Sequence, residues 1–399
     1  MTDLLSFEDA LAAVLARARP LPSERVPVEA GAGRVLVEPA CAVVDLPPFP
    51  SSAMDGFALR AEDAPGRLPV VFRIAAGRPA TRPLGTGEAM AIATGGVVPD
   101  GADAVVPHEY VVDHDNDVEL PEAVAAGANI RPRGGDVHLG DVVVAAGTRL
   151  APGHLGALAA AGLGEVVCAR RPRAAVLTTG TELRRPGEPL QAGEVYEANG
   201  LMLAAQLAAA GAEVERLAAV EDDEAVHRAA LERGLEFDVL VTSGGVSVGP
   251  HDLVRRVEAE LGVEEVFWRV AVKPGKPVSF GVRERTLVFG LPGNPVSSLV
   301  GCELFVKPAL LALQGASDPG PPFEPGTLAR AIRRDPARTE LMRARSAREG
   351  DRVVLDPVSG QESHMIVRAA EADALVLVPV GEGELPAGAP VRYLRLGMG

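Results

Sequence analysis

The residues best equipped for chemistry cluster in four short runs of the second half of the chain. Thr178-Thr179-Gly180-Thr181-Glu182 sets hydroxyls, a glycine and a carboxylate directly after an apolar run. Thr242-Ser243-Gly244-Gly245-Val246-Ser247-Val248-Gly249 follows a second apolar run and precedes a helical pattern, with Asp252 just beyond. Backbone N–H groups at such a strand-to-helix turn point at an anion, and the helix start favours negative charge. The run lacks both the Gly-Lys-Ser/Thr of a phosphate-binding P-loop and the Gly-x-Gly-x-x-Gly of a dinucleotide site. Lys273-Pro274-Gly275-Lys276-Pro277 fixes two ammonium groups on a stiff turn. Leu291-Pro292-Gly293-Asn294-Pro295-Val296-Ser297-Ser298 reads as a strand end, then Asn294 as cap and Pro295 in the first helical turn. Each run alone is an ordinary turn. Together they describe a pocket for phosphate-like anions.

Three further runs in the first half have the same small, polar character. Ser51 to Ala58 holds one carboxylate, Asp55, between small residues. Thr94-Gly95-Gly96 offers a hydroxyl, and Arg131-Pro132-Arg133-Gly134-Gly135-Asp136 carries two guanidinium groups and an acid.

Elements of regular period must position these loops. From Arg173 the pattern alternates: a strand at 174–178, a helix capped by Asn199 and stopped by Gly211, a strand at 214–220, and a helix capped by Asp222 or Asp223. Strands at 237–242, 263–272 and 286–289 follow, with a helix reaching Leu261. Strands this apolar, separated by helices, predict a parallel sheet covered on both faces. In such a sheet ligands bind beyond the carboxyl ends of the strands, so all four loops are expected on one edge. The N-terminal twenty residues read as an amphipathic helix with Ser6 and Asp9 in a capping pattern. Residues 46–136 show short strand candidates, including 68–75 and 104–112. Residues 137–170 return to Gly/Ala/Val-rich sequence with a short helix from His154 to Ala161. A Gly/Pro-rich linker at 315–325 precedes alternating segments at 352–355, 374–378 and 391–396, the pattern of a small β-barrel or sandwich. The expected organisation is 1–45 with 137–170 as a linking domain, 46–136 as a β-rich insertion, 171–318 as the α/β domain and 319–399 as a β domain.

Composition removes several function classes. The 399 residues are 47% hydrophobic and 23% charged, which suits a globular chain of several cores. A net charge of −15 argues against sequence-independent nucleic-acid binding, whose affinity comes from cations on phosphates. Cys41, Cys168 and Cys302 are odd in number and widely spaced, which suits a reducing compartment and buried thiols. The uncharged stretch 151–164 is too short to cross a bilayer. A cytoplasmic protein without membrane partners is expected.

Taken in order and spacing, Ser-Ala-Met-Asp-Gly-Phe-Ala at 52–58, Thr-Gly-Gly at 94–96, Gly-Ala-Asp-Ala-Val-Val at 101–106, Arg-Pro-Arg-Gly-Gly-Asp at 131–136 and Thr-Gly-Thr-Glu-Leu at 179–183 resemble the MoeA (molybdopterin molybdenumtransferase) family. Ser-Gly-Gly-Val-Ser-Val-Gly at 243–249, Lys-Pro-Gly-Lys-Pro at 273–277 and Leu-Pro-Gly-Asn-Pro-Val-Ser at 291–297 extend the match. Arg338 to Arg343 and Gly360 to Met365 resemble its C-terminal domain.

The resemblance implies an elongated homodimer in which adenylylated molybdopterin receives molybdenum from molybdate and AMP is released. It implies functional acids at Asp55, Asp136, Glu182, Asp222 and Asp252 and a functional hydroxyl at Thr94. Glu182, Asp222 and Asp252 would hold Mg2+ or another divalent ion. Substrate would lie on Thr179, Gly180, Ser243, Gly244, Gly245 and Ser247, on Lys273 and Lys276, and on Pro292, Gly293, Asn294 and Pro295. Arg269 would add a cation, and Asp55 and Thr94 would act from the partner subunit. Molybdopterin adenylyltransferase and recipient molybdoenzymes are the implied partners. Departures from the family pattern fall at Thr181, Glu197 and Arg269. The rival functions on the same fold are adenylylation of molybdopterin and a non-catalytic scaffold.

Overall fold

A computed structural model describes residues 4–217, 224–245 and 253–397. The helix Phe7–Leu15 is capped by Ser6, whose hydroxyl accepts the Asp9 N–H at 3.0 Å. Its buried face, Phe7, Ala10 and Val14, packs on the α/β core, with the Phe7 and Phe305 rings 5.9 Å apart. The strand Ser23–Pro27 pairs antiparallel with Glu165–Ala169, and Ala40–Cys41 pairs with Val142–Val144. Residues on either side of the β-rich insertion therefore share one small core.

The insertion is a six-stranded sheet in which Gly56–Leu59 lies between the edge strand Ala104–Pro107 and Ala89–Ile92. The expected strand over 104–112 is broken: a 3-10 turn at His108–Tyr110 separates Ala104–Pro107 from Val112–Asp113. Pro107, which has no N–H to donate onward, stands at the break.

The α/β unit is a six-stranded sheet in the spatial order Glu213–Arg216, Arg173–Thr178, Val239–Ser243, Thr286–Leu291, Ser279–Arg283, Glu264–Trp268. The first four strands are parallel. Ser279–Arg283 runs antiparallel to both its neighbours, Thr286–Leu291 and Glu264–Trp268, a reversed strand that the all-parallel expectation did not include, while Glu264–Trp268 points the same way as the first four. The reason is the hairpin at Glu284-Arg285, where Glu284 takes φ 55 and reverses the chain within two residues. Because Ser279–Arg283 starts beside the carboxyl end of Thr286–Leu291, the preceding Lys273 turn still falls on the carboxyl edge. The strand expected over 214–220 is described only to Arg216, and Asp222 and Asp223 lie outside the described residues.

Central strands are apolar because both faces are covered: Val239, Leu240 and Val241 are fully buried, and the Phe280 and Phe289 rings stack 4.9 Å apart. A helical run from Pro295 to Leu313, long and apolar enough to cross a membrane, is mostly buried in this core. Its two charges are neutralised locally, Lys307 donating to buried Glu303 at 2.8 Å.

Beyond the linker, five strands close into a barrel: Thr339–Glu349, Arg352–Pro357, Glu324–Leu328, Pro390–Arg395 and Ala374–Val378, which pairs back onto Thr339–Glu349. The two residues Val272–Lys273 add in parallel to Thr339–Glu340. That short pairing ties the cationic turn to the barrel.

Candidate active-site cleft

Three loops leave adjacent parallel strands and touch one another. The Thr179 N–H donates to Ser243 O at 3.1 Å, and the Gly244 N–H donates to Leu291 O at 3.1 Å. At Gly244, with φ 96, an added Cβ would stand 2.6 Å from Thr179 O, so only glycine fits this approach. Asn199 joins the same edge from the next helix. Its amide donates to Ser243 Oγ at 2.9 Å and to Gly293 O at 2.7 Å. The capping role expected of Asn199 is thus not the observed one, because Ala198 holds the cap position and the Asn199 side chain spans two loops. Asn294 is likewise the cap residue of the helix Pro295–Gly301 through its backbone only. Its amide donates instead to Ser363 Oγ, 2.9 Å away in the barrel domain.

These loops bound a cleft of about 330 Å3 whose lining includes Thr179, Glu182, Asn199, Ser243, Gly293, Asn294 and Pro295. Tyr196 lines another wall, and the barrel domain adds His364 and Ile366. A second lobe of about 530 Å3 adjoins it, sharing Thr178, Leu183 and Glu197 and lined by Arg184, Arg185 and Arg216. Glu197 stands in the partition. Its buried carboxylate accepts the Gly200 N–H at 2.6 Å and pairs with Arg216 at 2.9 Å. That carboxylate therefore caps a helix and holds a guanidinium.

The two lysines of the cationic turn differ. Lys273 is 3.2 Å from buried Glu340 and 3.9 Å from Asp335, so two acids of the barrel domain neutralise it. The Ala337 N–H, then the Arg338 and Lys273 charges, hold the Asp335 carboxyl below the usual carboxylate range despite its partial burial. Lys276 is exposed and has no ion-pair partner among the described residues. It is the ammonium free to meet an anion. Arg269 lies stacked on the Trp268 ring at 3.7 Å, with Arg255 also 4.0 Å from that ring.

The acids of the first half form a separate cluster. Asp55 accepts the Thr94 N–H at 2.7 Å, and this bond, then one from the Thr94 hydroxyl, hold its carboxyl below the usual range. The strand Ile130–Arg131 pairs with Ser51–Ser52, which carries the 131–136 loop alongside. Asp136 is exposed there, its N–H donating to Leu46 O at 2.9 Å. No residue from 46–136 lines the cleft of the same chain among the described residues.

Comparison with known proteins decides the family. Residues 5–162 match the MoeA N-terminal region (domain I and II), 175–312 a probable molybdopterin binding domain, and 325–396 the MoeA C-terminal region (domain IV). Molybdopterin molybdenumtransferase 2 of Mycobacterium tuberculosis is 35% identical, covering 99% of this chain and 100% of its own. The chain belongs to the MoeA family. The molybdopterin molybdenumtransferase of Synechococcus elongatus is 36% identical over 98% of this chain and all of its own. The crystal structure of a molybdopterin biosynthesis MoeA protein from Pyrococcus horikoshii superposes with a TM-score of 0.80 at 31% identity, over the whole of both chains.

In this MoeA chain the structure brings together Thr179, Gly180, Glu182, Ser243, Gly244, Pro292, Gly293, Asn294 and Pro295 on one sheet edge, with Gly245 next in the loop. It leaves Asp55, Thr94 and Asp136 elsewhere. Asp222, Ser247 and Asp252 lie outside the described residues, so of the three expected metal ligands only Glu182 is described, and no three metal-ligating side chains group together among the described residues. Sequence reasoning passed over Asn199 as a linker of loops, and Ser363 and His364 as contributors to the cleft. The dense polar run Gly360 to His364 was the available signal.

Gly56, beside Asp55, tests how tightly that cluster is built. An added Cβ would stand 2.0 Å from Val106 O across the sheet, a backbone clash no rotamer relieves. Gly56→Ala is expected to destabilise by about 1–3 kcal/mol and to lower the unfolding midpoint. An unchanged midpoint in thermal unfolding would show that the sheet yields there at no cost.

Proposed function

We propose that this chain is a molybdopterin molybdenumtransferase that places molybdenum from molybdate on adenylylated molybdopterin and releases AMP. The observation that carries the reading is the convergence of the 179–182, 243–245 and 291–295 loops on one cleft, with MoeA membership naming the substrates. Backbone N–H groups and Lys276 are the donors that suit tetrahedral dianions and phosphates. Glu182, with Asp222 and Asp252, would hold Mg2+ or a similar ion, which would neutralise phosphate charge during cleavage. The chain's own contribution is to hold the nucleotide phosphate at the 243–245 loop and to exclude the flexibility of free solution.

A homodimer belongs to the same proposal. Support comes from Asp55, Thr94 and Asp136, which stand apart from their own chain's cleft, and from Val43, Val44, Leu139 and Val142, which stay exposed on the small N-terminal core. Three free cysteines suit the cytoplasm.

The test is incubation of the purified protein with adenylylated molybdopterin and molybdate, followed by AMP release and by activation of a cofactor-free molybdoenzyme. Both products are expected. Conversion of molybdopterin and ATP to adenylylated molybdopterin, without molybdenum transfer, would instead assign the adenylyltransferase step.

A further inference from the structure

Arg343 is an unusual residue for a buried position on a small barrel: its neighbours Met342 and Ala344 pack in the barrel core, so its own side chain lies on the outer face, against residues 358–365. It sits on the strand Thr339–Glu349, is 1% exposed, and has no ion-pair partner among the described residues. Burial pushes its pKa down, with only the Glu362 charge opposing. Removing a guanidinium from water is costly unless its donors are satisfied, and an apolar side chain would fill the same space without that cost. All three guanidinium nitrogens find acceptors, four bonds in all, and every acceptor is in one loop. The guanidinium donates to Gly360 O at 2.8 Å, Met365 O at 3.3 Å, Glu362 O at 3.4 Å and the Gln361 side-chain oxygen at 3.3 Å. Gln361 returns its amide to Arg343 O at 2.8 Å and Val358 O at 2.9 Å.

The outer side of that loop meets the cleft. Ser363 Oγ accepts from Asn294, Ser363 O accepts the Val296 N–H at 3.0 Å, and His364 lines the cleft wall. The Val296 N–H belongs to the first turn of its helix, where no intrahelical acceptor exists. We propose that Arg343 is a positioning residue for the cleft: its guanidinium shapes residues 360–365 so that Ser363 clasps the 294–296 turn and His364 faces the cavity. The barrel domain is then a working wall of the site, held in shape by a buried cation that touches no substrate.

The test uses the full-length protein and hydrogen exchange read by mass spectrometry, with molybdenum transfer as a second arm that rests on the proposed function. In Arg343→Lys one ammonium replaces a five-donor fork and cannot reach all four acceptors. Exchange in peptides covering Val296 should accelerate about tenfold or more, while peptides covering 374–378 and 390–395 keep their protection. The kcat/KM for transfer should fall about tenfold, and adding Ser363→Ala to Arg343→Lys should lower it little further, because both break one connection. Gln361→Ala, which leaves the three carbonyl acceptors in place, should show the same pattern more weakly and serves if Arg343→Lys does not fold. Unchanged exchange at Val296 would overturn the proposal. So would equal loss of protection through the barrel strands, which would make Arg343 a core residue only. The exchange arm decides the matter even if the wild-type protein transfers no molybdenum.

Discussion

Mixed dimers of an Asp55→Ala chain and a Lys276→Gln chain, each nearly inactive alone, are expected to recover about half of the wild-type molybdenum transfer, since a two-fold dimer has two equivalent clefts. The expectation rests on placement. Asp55 is fixed to Thr94 in the β-rich insertion, whereas Lys276 stands on the carboxyl edge of the α/β sheet, on the same edge as the 330 Å3 cleft though not in its lining, and among the described residues none of 46–136 lines that cleft within the chain. If a site needs both residues and takes them from different subunits, a mixed dimer has one cleft missing both and one with both intact. Tagging the two chains differently and purifying the doubly tagged species makes the measurement direct. Failure to recover activity in such purified dimers would place both residues in a cleft built by one chain.

The second large effect is expected to separate the two lysines of one turn. Lys276→Gln should lower transfer about a hundredfold, as removal of a preorganised charge from an anion site does, with little change in thermal unfolding because Lys276 is exposed and unpaired among the described residues. Lys273→Gln should also lower transfer. In addition it should reduce stability, because it leaves Glu340, whose side chain is 8% exposed, without its cation in the junction with the barrel. Comparing unfolding midpoints with transfer rates for the two variants reads the difference. Equal midpoints for both variants would show that the Lys273 pair contributes nothing to the junction.

Much of the fold was legible because hydrophobic period is local. The strand at 174–178, read from a continuous apolar run, and the barrel strand at 374–378, read from alternation, appear within a residue of where they were expected, and Ser6 caps the first helix as its spacing implied. The strand Ser279–Arg283 was not legible. It begins straight after the Lys-Pro-rich turn, and its direction depends on the Glu284 hairpin, a backbone feature with no glycine to announce it. The single strand expected at 104–112 failed for a related reason, since apolar residues continue through a break in the backbone pattern.

The candidate site divides in the same way. Loop chemistry is written in short runs, so Thr179, Ser243, Gly244, Lys276 and Gly293 declared themselves, and Gly244 did so because close backbone approach demands a glycine there. Side-chain partners are not written there. Asn199 and Asn294 have the residue type of helix caps, yet both bond across the fold, to Gly293 and to Ser363, once long-range packing offers acceptors that the local turn does not. Lys273 and Lys276 are alike in sequence, and only pairing of Val272–Lys273 with the barrel strand makes one a clamp and leaves the other free. The sequence by itself determined which groups are available and which turns carry them. The tertiary structure decided which of them meet, because each decisive contact joins segments tens of residues apart whose approach depends on strand pairing and domain closure.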